Sequence, residues 1–373
     1  MPHEVALLPV TDVLLMKKTL KLARKGRGLV SPNPLVGAIV VKAGGIVAQG
    51  YHHRYGERHA EVEAITAARE DLQGSSLYVN LEPCSHHGQQ PPCVLAIVES
   101  GIRRVVVGTT DPNPKVNGRG IKYLRQHGIE VKVGVLEDSC RALNAGFSKF
   151  IKTGLPFFTL KIAQTLDGRI SGPDGNSKWI SSEGSRTFAH RMRAENDAIL
   201  VGIGTVLNDD PQLNVRRVRG MDPYRVVVDS HLRIPLNTKL LNDSLTPKTF
   251  IATTDAADEI RGRKVMDKGV TVWSLPANCD GQVDMRALGR KLVSVGITSV
   301  LVEGGSRVFS SLLKSGLADR LAVFIAPKLL GNGLSALSDF GVSGLDKSVV
   351  LGDYKSRRVG GDILLTGTIV YPN

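Results

Sequence analysis

Aromatic residues are scarce in this chain, 5% of 373. Proteins that grip single-stranded nucleic acid interleave aromatics with a basic groove, so a polynucleotide is not the expected partner. No run of about 18 apolar residues occurs, and no membrane span is expected. The first stretch, MPHEVALLPVTDVLL, lacks a basic segment ahead of an apolar core, so no secretory signal is expected. Four cysteines are too few for a disulfide framework, and a reducing, cytoplasmic setting is expected. Acidic residues are outnumbered, 35 against 48 Lys and Arg, which leaves a net charge of +13. That excess is spread along the chain and suits small acidic ligands such as phosphates or a dinucleotide. The dinucleotide fingerprint G-x-G-x-x-G is absent.

What is present is length enough for two cores, since domains commonly run about 100–200 residues. Thr11 or Asp12 can cap a helix over 11–25 that Gly26 ends in the left-handed conformation. Two prolines hold a loop around Asn33, then a strand over 35–42 turns at Gly44-Gly45 into a hairpin. A helix over 60–69, a strand over 76–82, a helix opened by Pro91-Pro92-Cys93 and a strand over 103–110 follow. A helix over 120–127, a strand over 129–136 and a helix over 138–152 complete the first part. Gly154-Leu155-Pro156 reads as a seam, giving domains 1–153 and 154–373. Beyond it strands are expected at 157–164, 198–203, 225–229, 249–253, 270–275, 299–303, 320–326 and 362–370. Helices are expected at 183–194, 284–295 and 306–314. Strand–helix alternation of this kind predicts layered α/β domains, and the two parts show no self-similarity.

The chemistry of the first part concentrates in RHAEVEA (58–64) and PCSHHGQQPPC (83–93). His59, Cys84 and Cys93 offer one imidazole and two thiolates to zinc. Three ligands leave the fourth tetrahedral position open, as a catalytic zinc requires. A structural zinc would need a fourth ligand, which His86 or His87 could supply. Glu61, two residues beyond the histidine, is placed to move protons to and from a zinc-activated water. In the second part three loop-rich segments stand at strand ends, at 160–180, 201–216 and 300–313. The last is a strand, Glu-Gly-Gly and a helix, whose N-terminus offers free N–H groups to a phosphate. A Gly-Gly turn before a helix serves chain geometry equally well.

H-x-E followed by P-C and a second Cys resembles the zinc deaminases of cytidine and related bases. Eight residues separate the two cysteines here, where two are common. That longer form resembles the deaminase half of the bifunctional riboflavin-biosynthesis deaminase/reductases, and the three later segments resemble their NADPH-dependent reductase half. The resemblance covers nearly the whole chain. It implies a cytidine-deaminase-like three-layer domain followed by a dihydrofolate-reductase-like domain. It implies deamination of a diaminopyrimidinone phosphoribosyl compound at zinc, then NADPH reduction of its ribosyl chain to ribityl. Zinc ligands would be His59, Cys84 and Cys93, and Glu61 the acid/base. Asn33 and His52 would contact the pyrimidine, although Asn33 between prolines is also a good turn former. Ala163, Ser177, Trp179, Thr205, Asp209 and Ser230, with the run Gly305, Ser306, Arg307, would line the cofactor. Lys161, Arg193, Leu213, Arg216 and Glu303 would face the reductase substrate. Trp179 could equally anchor a core, and Asp209-Asp210 could be a solvated turn. Lys115 and Arg119 could meet a phosphate or be merely solvated.

The chain departs from that family's usual pattern at Arg58, where proline often precedes the ligand histidine. Gln89-Gln90 replaces a more common Arg-Thr, which bears on how the deaminase site holds phosphate. Phe309 stands where a smaller residue is usual. The expected partners are a small phosphorylated pyrimidine and a second copy in a homo-oligomer. A nucleic-acid base deaminase with an appended binding domain is the rival enzyme, and a zinc-stabilised binding module the rival without catalysis.

Overall fold

The computed structural model describes residues 11–372 apart from Gln89 and Lys115. The phosphate roles considered for those two residues therefore lie outside the described residues. The chain divides into two compact units, Met1–Gly154 and Leu155–Asn373.

The first unit contains strands β1 (Gly37–Lys42), β2 (Gly45–Tyr51), β3 (Ser76–Leu81), β4 (Arg104–Thr109) and β5 (Glu130–Val133). Its helices are α1 (Asp12–Ala23), α2 (Ala60–Thr66), α3 (Cys93–Glu99), α4 (Arg119–Gln126), α5 (Glu137–Leu143) and α6 (Ala145–Thr153). The strands form one sheet in the order β2-β1-β3-β4-β5. β1 pairs antiparallel with β2 and β3, whereas β3, β4 and β5 run parallel. Alternation along the central strands sorts side chains to two faces. Ala38, Val40, Leu77, Val79, Val105 and Val107 meet α2, α3 and α4, while Ile39, Tyr78 and Val106 meet α1 and α5. Helices on both faces of the sheet make three layers.

Several boundaries differ from expectation for local reasons. α1 passes into a 3-10 turn at Arg24–Gly26, and the left-handed residue is Gly28 (φ 73°). The hairpin turns at Ala43-Gly44, both with positive φ, so that Lys42 pairs with Gly45. The helix expected over 138–152 is broken at Asn144, whose buried amide accepts from Leu35 N and donates to Leu35 O. Asn80 does likewise with Gly37 N and Leu35 O. The two asparagines thus supply backbone partners to the segment following Asn33.

The second unit contains β6 (Phe157–Thr165), β7 (Arg169–Ser171), β8 (Ala198–Gly202), β9 (Tyr224–Val228), β10 (Thr249–Thr253) and β11 (Thr271–Ser274). It continues with β12 (Ser299–Gly304), β13 (Ala318–Ala326), β14 (Leu334–Ser335), β15 (Val350–Val359) and β16 (Asp362–Val370). Its helices are α7 (Glu183–Ala194), α8 (Ile203–Asp209), α9 (Glu259–Met266), α10 (Met285–Ser294) and α11 (Ser306–Lys314). Nine strands form one sheet, β11-β10-β9-β8-β12-β6-β13-β16-β15. It is parallel from β11 to β13, and β16 is antiparallel to both neighbours. The central strands read as continuous apolar runs because both faces are covered. α10 and α11 cover one face with Leu288, Leu292, Phe309 and Leu312, and α8 and α9 cover the other with Ile203, Val206 and Val265. Phe309 is 2% exposed and fills core space. β15 was not expected, since its DYKSRR run is polar and lies exposed at the sheet edge.

Candidate functional sites

In the first unit His59 is the N-cap of α2, with extended backbone. The two prolines precede α3, and Cys93 is its first residue. His59 Nδ1 lies 3.2 Å from Cys93 Sγ and 3.6 Å from Cys84 Sγ. All three donor atoms fall within 4.8 Å of one another. Zinc bonds of about 2.0–2.3 Å in a tetrahedron require donor separations of roughly 3.3–3.8 Å, so the set fits that ion. Neither His86 nor His87 joins it among the described residues, which leaves a coordination position to a water. The hydrogen bond between the sulfurs, aided by His59, holds the Cys84 thiol down to about 4. The same contact and burial push Cys93 well up.

Glu61, in the first turn of α2, is 3% exposed, and burial lifts its carboxyl to about 7. Glu61, His59 and Cys84 line a cavity of about 200 Å³ together with Asn33 and His52. No lysine or arginine lines it among the described residues. His52 Nδ1 donates to the Arg58 carbonyl at 2.9 Å, so its Nε2 is left to accept from Asn33 Nδ2 at 3.1 Å. Burial lowers the His52 pKa and keeps the ring neutral in that tautomer. Oδ1 of Asn33 remains for a ligand.

In the second unit Ser177, Thr205, Asp209, Ser230, Gly305, Ser306 and Arg307 line one cavity of about 600 Å³. Gly202 and Gly304 permit close approach there: a Cβ on Gly202 would meet Val308 at 2.9 Å, and one on Gly304 would meet Thr205 Oγ1 at 2.5 Å. Gly305 takes φ 93° at the start of α11, so the Gly-Gly turn serves chain geometry as well as opening N–H groups of α11 toward the cavity. Ser177 Oγ donates to Asp209 Oδ1 at 3.2 Å, while Asp210 turns away to pair with Lys239. Trp179 is 60% exposed, stacked under Arg186, and lines a neighbouring hollow with Ser177. It is not a core anchor; Trp273 is. Ala163 packs beside Ala322 and Phe324. The shape and the helix N-terminus fit a dinucleotide.

The residues expected to face the reductase substrate gather around Glu303. Arg193 grips Glu303 with two bonds, at 2.6 and 2.9 Å, and donates to Asn214 O. Lys161 Nζ stands 3.9 Å from the same carboxylate. Burial works to raise the Glu303 pKa, but Arg193 and Lys161 outweigh it and leave the group at about 2. Leu213 is 3% exposed in the core, so a ligand can meet it only through its backbone, which holds φ 50°. Sequence reasoning missed His190, buried on α7, whose Nδ1 accepts from Arg216 N at 3.3 Å. Burial, with Arg193 and Arg216 nearby, lowers it to about 4. Nothing in the run RTFAHRMRA marks it.

Residues 9–109 match the cytidine and deoxycytidylate deaminase zinc-binding region, and residues 156–365 match the RibD C-terminal domain. The riboflavin biosynthesis protein RibD of Aquifex aeolicus is 45% identical, over 94% of this chain and 96% of its own length. That of Escherichia coli is 38% identical, over 95% and 98%. The crystal structure of a diaminohydroxyphosphoribosylaminopyrimidine deaminase/5-amino-6-(5-phosphoribosylamino)uracil reductase from Thermotoga maritima superposes with a TM-score of 0.82 at 39% identity, covering 96% of this chain and 99% of that one. The chain therefore belongs to the RibD family, the bifunctional deaminase/reductases of riboflavin biosynthesis, which use zinc in the first activity and NADPH in the second.

Proposed function

We propose that residues 1–153 carry the deaminase, with His59, Cys84 and Cys93 holding zinc and Glu61 carrying protons. The observation behind this is a buried carboxylate, lifted to about 7, beside a His/Cys/Cys set in one cavity. Zinc supplies the acidity that brings a water toward ionisation near neutral pH. A carboxyl near 7 can take one proton from the attacking water and give it to the ring nitrogen. It can then take the proton of the hydroxyl added to the ring carbon and give it to the amine, which leaves as ammonia while the carbonyl forms. Asn33, steadied by His52, orients the amino-bearing pyrimidine.

Residues 154–373 carry the reductase. NADPH supplies the hydride for the opened ribosyl carbon. Ser177, Thr205, Asp209, Ser230 and the Gly305–Arg307 turn would hold it, and the N–H groups at the start of α11 would suit a phosphate. Trp179, in the neighbouring hollow, and Ala163 would complete the set that holds it. Glu303 fixes Arg193, while Lys161, at 3.9 Å from Glu303, keeps donors for the substrate. Arg216 and the Leu213 backbone complete that wall. The substrate is a small phosphorylated pyrimidine, not a polynucleotide, and a cavity of about 200 Å³ suits one base. Thiolate ligands suit the reducing cytoplasm, and the chain works there as a homo-oligomer.

One reaction tests both halves: purified protein, the diaminopyrimidine phosphate and NADPH, with ammonia and cofactor absorbance followed separately. Ammonia release without added NADPH, and oxidation of NADPH only after deamination, are expected. NADPH oxidation without ammonia release would defeat the assignment.

A further inference from the structure

One buried carboxylate in the lining of the deaminase cavity has both oxygens engaged by backbone N–H groups. Glu82 follows β3 and is 3% exposed. Its Oε2 accepts from Asp111 N at 3.2 Å and Gly118 N at 2.8 Å. Its Oε1 accepts from Gly120 N at 3.0 Å and Ile121 N at 3.2 Å. Three of these four donors open α4, whose N-cap is Gly118 and has no side chain to serve them. Orphan N–H groups at a helix start need acceptors, and a carboxylate there also meets the positive end of the dipole. Glu82 therefore caps α4 from a neighbouring strand.

The same carboxylate reaches Asp111, so it holds both ends of the 111–118 loop. That loop contributes Asp111, Asn113 and Val116 to the lining of the cavity that contains Glu61. Among the described residues of the loop, backbone bonds make local turns, Val116 N and Asn117 N to Asn113 O, followed by Arg119 N to Val116 O. The contact is close on the other side too: a Cβ on Gly120 would fall 2.1 Å from Pro83 O, next to Cys84.

We propose that Glu82 is a positioning residue of the deaminase. It ties the 111–118 loop to the arm that carries Cys84 and so sets the cavity wall against which the pyrimidine rests. The inference rests on the deaminase reading of that cavity. Capping alone would make Glu82 a stability residue. Positioning makes it a determinant of substrate affinity as well.

The experiment compares full-length, zinc-loaded wild type with Glu82→Gln on the diaminopyrimidine phosphate. The amide keeps the shape but turns an NH2 toward two of the four donors. KM for ammonia release should rise about tenfold while kcat stays within about threefold, the loss expected for hydrogen bonds to a charged group. Zinc should remain stoichiometric, and NADPH oxidation on already deaminated substrate should not change. An unchanged KM overturns the proposal, and so does a joint loss of zinc, kcat and melting temperature. If Glu82→Gln does not fold, Gly120→Ala presses on the same contact from α4; a raised KM supports the proposal and an unchanged one overturns it. A wild type that releases no ammonia would instead defeat the deaminase reading itself.

Discussion

Two buried glutamates, one in each unit, are driven in opposite directions. Glu61 is 3% exposed and the Glu303 side chain 6%. Burial penalises the charge of both. Glu61 has thiols and an imidazole for neighbours, and its carboxyl rises to about 7. Glu303 receives both arms of Arg193, with Lys161 behind, and falls to about 2. A group near 7 exchanges protons at neutral pH, whereas a group near 2 is a fixed anion that holds cations in place. Between these two glutamates, contact with a guanidinium and not depth of burial makes the difference.

The sharpest way to break that comparison is Glu61→Gln. Ammonia release should fall by about 10³-fold, as for loss of a general acid/base, while NADPH oxidation on deaminated substrate continues. Loss of both activities without unfolding would show that the two glutamates do not serve separate sites. Glu303→Gln comes next. It leaves Arg193 buried with a neutral partner, and breaking such a pair costs about 3–5 kcal/mol. Denaturant unfolding should show that loss in the reductase transition, together with a higher KM for the reductase substrate. Ammonia release should persist. If Glu303→Gln lowered kcat alone with stability intact, Glu303 would be a proton carrier like Glu61, and the contrast would collapse.

The same contrast explains what could be read from residues alone. Metal chemistry needs particular donors, and His59, Glu61, Cys84 and Cys93 fall within 35 residues of one another, so local spacing exposed them. Glu303, Arg193 and Lys161 come from three elements: β6 and β12 lie side by side, and α7 brings Arg193 to them. Their grouping followed from the family resemblance, since an arginine and a glutamate 110 residues apart carry no local signal. His190 and Glu82 escaped altogether because their partners are backbone N–H groups, which every residue offers. Asn144 broke a helix for the same reason, through the backbone of Leu35. Trp179 runs against its type and is exposed, whereas Leu213, which the family resemblance placed at the substrate, is core as its type suggests. Neither outcome follows from periodicity in loops.

The smallest expected effect separates His190 from Glu303 by pH. The His190 pKa falls from 6.5 to about 4 on folding, chiefly through burial and then through Arg193 and Arg216, with Arg217 adding and Glu303 opposing. Between those values the unfolded chain binds more protons, so stability drops as pH falls from about 6.5 to about 4. Glu303 shifts from 4.5 to about 2, so its contribution is present above 4.5 and is lost as pH falls through about 2. The two windows barely overlap. His190→Gln keeps an acceptor for Arg216 N but cannot titrate. Its unfolding midpoint should therefore fall less than that of wild type between pH 6.5 and 4, and run parallel below. Parallel curves through the upper window would mean that burial and the neighbouring arginines do not hold His190 neutral, and that the anion at the centre of the reductase site orders its surroundings only through Arg193 and Lys161.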